Sequence, residues 1–144
     1  LVGWSLGGIY AREIARRRPD LVRLVITLGT PFAGRGEHTN VGVLYQLFSG
    51  RLPHIDEALL ARLAATPPVP TTSIYSRSDG VVAWQACREA AGPQAENVEV
   101  QASHIGLVWH PQVWAVVADR LAQPEGHWQP YAADTLADGR LRTH

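Results

Sequence analysis

LVGWSLGGIYAREIARRR, residues 1–18, decides how the rest of the chain is read. Leu1 and Val2 have the branched apolar character of a strand end. From Leu6 to Arg18 the pattern is helical until Pro19 stops it. Between the two lies Gly3-Trp4-Ser5-Leu6-Gly7-Gly8, a Gly-x-Ser-x-Gly set where strand becomes helix. So tight a turn forces its central residue into a strained backbone conformation, and side chains two positions to either side would collide with strand and helix. Glycine at positions 3 and 7 removes those collisions, and Gly8 allows close helix packing. The serine hydroxyl is lifted clear of the sheet beside the positive end of the helix. The Leu6 N–H then points where a negative oxygen would form.

Outward from this turn, strand and helix patterns alternate. "LVRLVITLGTP" (21–31) reads as a buried strand stopped by Gly29 and Pro31, and "FAGRGEHTN" (32–40) as a loop. Residues 41–65 carry helical spacing, clearest in "IDEALLARLAA", and "PPVP" (67–70) leads into a short strand, "TTSIYS" (71–76). "RSDGVV" (77–82) reads as a turn and "AWQACREAAG" (83–92) as a short helix closed by Gly92-Pro93. "NVEVQA" (97–102) alternates as a strand does, "SHIGLVWHP" (103–111) is a loop, and "QVWAVVADRLAQ" (112–123) is an amphipathic helix. From Pro124 the polar, Gly- and Pro-bearing tail is expected on the surface or partly disordered. Alternating strands and helices imply an α/β protein whose parallel sheet is covered on both faces.

Composition narrows the partners. The 144 residues are 46% hydrophobic and 18% charged with zero formal net charge, so no overall field favours nucleic acid or an anionic membrane. The one long basic run, Arg16-Arg17-Arg18, sits where cations suit a helix C-terminus. No apolar run is long enough to cross a bilayer. Cys87 is the sole cysteine, which rules out an internal disulfide and favours a cytoplasmic compartment; it reads as a small buried thiol. Lacking Met and opening inside a strand pattern, the chain is expected to start downstream of the biological N-terminus.

The serine between glycines is a candidate nucleophile. Chance would place the five-residue pattern in about one chain in twenty of this length, so context must decide. A strand precedes it and a helix follows. No Lys-Ser/Thr pair follows the glycines, which disfavours phosphate binding. A serine hydroxyl needs a base, and the base an orienting acid; on an elbow of this kind they follow in the order serine, acid, histidine. Asp79 directly follows the "TTSIYS" strand, at the carboxyl end where open parallel sheets place their sites. An ordinary turn aspartate before Gly80 would look the same locally, but chain order selects it independently. Asp56 and Asp119 fall in helical stretches, Asp134 and Asp138 in the tail. His104 follows the last strand at once. His110 reads as a residue capping the final helix; His38 and His54 precede Asp79, and His127 and His144 lie in the tail.

With these residues in place the chain resembles the α/β-hydrolase superfamily, and within it the lipase and esterase branch. "GWSLGG", "VITLGTPFAG", "SIYSRSDGVV" and "ASHIGLVWHP" correspond in order to the elbow, the strand-end segment, the acid loop and the histidine loop. Many relatives have a histidine where Trp4 stands, a change expected to alter the pocket wall without touching the three catalytic side chains. The resemblance implies that residues 1–123 are the C-terminal part of a single α/β-hydrolase domain, a partial, mostly parallel sheet with flanking helices and its N-terminal strands missing. Residues 124–144 would be a tail. The family's second oxyanion donor would lie upstream. Residues 36–65 would form a helical cap insertion, with apolar stripes at Val41, Val43, Leu44, Leu47 and Phe48 and at Ile55, Leu59, Leu60 and Leu63. These stripes either pack on the core or line the entrance, where they would favour an apolar acyl group.

The expected activity is serine hydrolysis of carboxylic esters through catalytic Ser5, Asp79 and His104, with the Leu6 N–H as oxyanion donor and a small-molecule or lipid ester as substrate. Acyl transfer by the same trio, or a non-catalytic binding domain on the same scaffold, is the alternative. No cofactor is assigned. His54-x-Asp56 offers too few donors to assign a metal. The chain on its own, with an unprotected sheet edge, is expected to be aggregation-prone and inactive.

Overall fold

The run Val25-Ile26-Thr27-Leu28 is buried at every position, as a central parallel strand must be when both faces are covered. A computed structural model describes residues 1–33 and 57–132. In chain order the strands are β1 (Val2–Trp4), β2 (Val25–Leu28), β3 (Thr71–Tyr75) and β4 (Ala95–Glu99). The described helices are α1 (Leu6–Arg17), α2 (Glu57–Ala64) and α3 (Pro111–Ala122). The sheet order is β1-β2-β3-β4, and every pairing is parallel. All four strands therefore end on one edge of the sheet. That edge carries Ser5, Gly29, Ser76 and Val100.

Alternation along β2 sends neighbours to opposite faces. Ile26 and Leu28 join Leu24, Ile74, Val100 and Leu107 beneath Val113, Val116 and Val117 of α3. Val25 turns the other way, to Ala11 and Ala15 of α1 with Val22 and Val69. The α/β expectation, a mostly parallel sheet with flanking helices, is thus met. The stripe Leu59, Leu60 and Leu63 of α2 packs on Leu6 and Ile9 of α1. This part of the expected cap insertion rests on the elbow helix; the 41–48 stripe and Ile55 lie outside the described residues.

Two expectations need correction. The helix expected over 83–92 is a single 3-10 turn, Trp84–Cys87. Tertiary partners take the backbone beyond it: the Glu89 N–H donates to Asn97 Oδ1 at 2.8 Å and Asn97 Nδ2 donates back to the Glu89 carbonyl at 3.0 Å. Such bonds outweigh a weak local helix preference. β4 begins at Ala95, two residues before the alternating run, because Ala95 pairs with Thr71 in the parallel register. Residues 124–132 of the tail lie at the surface, in keeping with the expectation, and are bonded to the helix and strand beneath them. Gln123 Nε2 donates to the Gln129 carbonyl at 2.8 Å, the Tyr131 N–H donates to Glu96 Oε2 at 2.7 Å, and Arg120 reaches both Glu96 and the Gln129 carbonyl. Cys87 is buried, and burial pushes its thiol pKa up, away from reactivity.

Candidate active site

The elbow is built as its glycines suggest, with one exception. Ser5 has φ 52° and ψ −122°, a left-handed backbone in a residue with a side chain, and its N–H donates to the Leu28 carbonyl at 2.9 Å. A Cβ on Gly3 would lie 2.5 Å from the backbone of Gly7 and Gly8, and one on Gly8 would overlap the buried Thr30. Gly7 was expected to relieve a collision, yet a Cβ there meets nothing within 4 Å among the described residues. The close approach is made by Gly7's own main chain against Gly3, so only the first glycine of that pair is sterically required.

Three side chains meet at the sheet's carboxyl edge. His104 Nε2 lies 3.0 Å from Ser5 Oγ, and His104 Nδ1 lies 2.7 Å from Asp79 Oδ2. Ser5 and His104 are buried, as is the Asp79 carboxylate. The other carboxylate oxygen, Oδ1, accepts the Val81 and Val82 N–H groups at 2.8 and 2.9 Å. Asp79 is therefore a turn aspartate and a histidine partner at once, one oxygen for each role. An ionised carboxylate only accepts, so Nδ1 carries the imidazole proton and Nε2 is left to accept the serine hydroxyl. Gly29 backs the pair: at φ 52° its missing side chain would sit 3.2 Å from Asp79 Oδ2 and 3.3 Å from His104 Nδ1. Leu6 is the first residue of α1, so its N–H has no partner within the helix.

Burial by itself would raise the Asp79 pKa. The hydrogen bond from His104 and those from Val82 and Val81 outweigh it and hold the carboxyl below its ordinary value. A carboxyl lowered on folding contributes stability above its unfolded pKa of about 4 and loses it as pH falls through the folded value. The melting temperature of the wild type should thus exceed that of Asp79→Asn at neutral pH, and the gap should close in acid. A gap that stays constant into acid would mean the ionised carboxylate is not what the site stabilises.

Two residues around the trio escaped the sequence reading. Trp4 does touch it, contrary to expectation. Its indole N–H donates to the His104 carbonyl at 3.0 Å, and its ring lies 5.2 Å from the imidazole. The reason is position: as the last residue of β1, Trp4 projects over the strand ends towards the histidine loop. Ser76 is the other. Its buried hydroxyl accepts the Ser78 N–H at 3.0 Å and the Ala102 N–H at 3.1 Å, joining the acid loop to the histidine loop. Ser76→Ala leaves both donors without their acceptor and should cost about 1–3 kcal/mol of stability, read by urea denaturation. A serine closing a β-strand before an Asp-Gly turn was the available signal.

The remaining candidates lie elsewhere. His110 stands at the N-cap of α3, as expected, although its side chain makes no capping bond. Asp119 pairs with Arg120, and His127 is in the exposed tail. Asp56, His38, His54, Asp134, Asp138 and His144 are outside the described residues.

No family model and no curated protein matches the chain. Solved structures do. The chain is similar to the esterase domain of a Rhodothermus marinus protein, at 23% identity and TM-score 0.54, over 74% of this chain and 50% of that one. A hydrolase from Pseudomonas aeruginosa matches at 19% identity and TM-score 0.55, over 85% and 64%. The monoacylglycerol lipase of Paleococcus ferrophilus matches at 15% identity and TM-score 0.54, over 83% and 67%. The chain thus spans between half and two thirds of the lengths of these structures. The fold of this chain, a parallel β1-β2-β3-β4 sheet with flanking helices, is thus that of a portion of these esterase, hydrolase and lipase structures.

Proposed function

We propose that the full-length protein hydrolyses carboxylic esters as a serine hydrolase of the lipase and esterase branch. The observation that carries this reading is the unbroken series Asp79–His104–Ser5, joined at 2.7 and 3.0 Å with the serine on a left-handed turn at the head of a helix. Ser5 Oγ attacks the ester carbonyl carbon while His104 Nε2 takes its proton. Asp79 holds the Nδ1 proton and stabilises the imidazolium. The carbonyl oxygen, now negative, faces the Leu6 N–H. Collapse expels the alcohol, which receives the proton from His104 and leaves an acyl group on Ser5. Water, deprotonated by the same imidazole, then releases the acid. Exposed Val81 beside the acid and exposed Ile105 and Trp109 on the histidine loop favour an apolar acyl group. An esterase and a monoacylglycerol lipase among the similar structures accord with an ester substrate.

The test is hydrolysis of p-nitrophenyl butyrate and decanoate by the full-length protein, followed from the first milliseconds. A burst of p-nitrophenol equal to the enzyme present, then a slower steady rate, is expected of an acyl-enzyme that is released by water. No turnover of either ester would overturn the reading.

A further inference from the structure

Trp4 and His104 lie 100 residues apart, yet the indole N–H of one donates to the main-chain carbonyl of the other at 3.0 Å. The chain must bring them together across the whole sheet. Ser5 follows β1 and His104 follows β4, with β2 and β3 between them. At about 4.8 Å per strand, the histidine loop has to reach back some three spacings to meet the serine. Its own bonds brace it locally. The Leu107 N–H donates to the Ser103 carbonyl at 3.0 Å and the Gly106 N–H to Ser103 Oγ at 3.1 Å, while Ser76 takes the Ala102 N–H from the β3 side. The Trp4 bond is of another kind. It ties the loop directly to the strand that delivers Ser5, at the very residue whose ring must act.

The indole also limits the ring itself. Its centroid lies 5.2 Å from that of the imidazole at an interplanar angle of 40°, so the imidazole cannot swing towards β1 without meeting it. Trp4 is 38% exposed, which makes it a modest contributor to core burial. A side chain fixed at both ends of one histidine but poorly buried is better explained by geometry than by stability.

We propose that Trp4 is the positioning residue for His104, holding the backbone and ring of the imidazole against Ser5. The proposal rests on the Ser5–His104–Asp79 reading above. Its consequence is a loss of rate per functional site rather than of folded protein, since a base displaced by a fraction of an ångström still folds but transfers its proton poorly.

The experiment compares wild type, Trp4→Phe and Trp4→His in the full-length protein, using a fluorophosphonate as titrant and p-nitrophenyl butyrate as substrate. Trp4→Phe keeps an apolar ring and removes the donor; Trp4→His restores a ring N–H. In Trp4→Phe the phosphonylation rate per site and kcat should fall between about 10- and 100-fold, with nearly all sites still titrated and KM little changed. Trp4→His should recover part of the rate. An unchanged rate per titrated site in Trp4→Phe overturns the proposal, whether or not the number of sites falls. Wild type that takes up no phosphonate overturns the serine reading itself, and this proposal with it. A labelled wild type matched by Trp4→Phe sinks the Trp4 role alone.

Discussion

Replacing Ser5 by alanine in the full-length protein should lower kcat for ester hydrolysis by about 10^6-fold, with the fold intact by circular dichroism. His104→Ala should cost about as much, and the double variant no more than either alone, because the hydroxyl and imidazole act as one unit. Asp79→Asn should lose about 10^4-fold, since an amide in place of the carboxylate leaves the imidazole in the wrong tautomer. The geometry behind these figures is the pair of contacts at 3.0 and 2.7 Å along one imidazole. Stability should move the other way at one position. Ser5 holds φ 52°, which glycine adopts without strain, so Ser5→Gly should be inactive yet about 1 kcal/mol more stable than Ser5→Ala. A loss of less than about 100-fold in Ser5→Ala would place the chemistry elsewhere.

The second large effect is structural. Arg12→Ala should destabilise the protein by about 3–5 kcal/mol, because it leaves the buried Glu89 carboxylate without its cation. Both side chains are almost wholly buried and form an ion pair. The guanidinium lies 3.5 Å from the centre of the Phe32 ring and donates to the carbonyls of Leu63 and Ala65 at 3.3 and 3.0 Å. Those carbonyls close α2, whose end has no helical donors left to satisfy them. Glu89 accepts the Thr66 hydroxyl at 2.9 Å, and its main chain is fixed by Asn97. One cation therefore joins α1, α2 and the segment leading to β4. Burial, and then the neighbouring Arg16, push the Arg12 pKa down while Glu13 opposes them. Arg12→Met combined with Glu89→Leu should recover much of the loss, since no uncompensated charge remains. Equal destabilisation in the single and double variants, measured by urea denaturation, would show that packing rather than charge pairing is what Arg12 supplies.

The chain itself spells out some of this architecture and conceals the rest. Gly3, Ser5 and Gly8 announce a turn because backbone sterics restrict what such a junction accepts. Asp79 and His104 follow from strand ends, since a parallel sheet brings all carboxyl ends to one edge. These are local rules with long-range consequences. Trp4 was opaque, because nothing in its neighbourhood says that its indole reaches a carbonyl 100 residues away. The 83–92 stretch misled for a related reason: Asn97, outside it, takes the Glu89 backbone N–H and carbonyl that a helix would have used. Nothing local marks Arg12, whose charge is buried against Leu63 and Ala65, Glu89 and Phe32. Ser76 is a small polar residue whose role depends on which two loops its strand end faces.

Where a fluorophosphonate attaches is the closest check on the account, because the adduct marks the atom whose nucleophilicity the imidazole creates. After reaction of the full-length protein, mass spectrometry of its tryptic peptides should find one phosphonyl group per molecule, on Ser5, and none when His104 is alanine. An adduct on another serine while Ser5 stays unmodified, or equal labelling of Ser5 with and without His104, would contradict it.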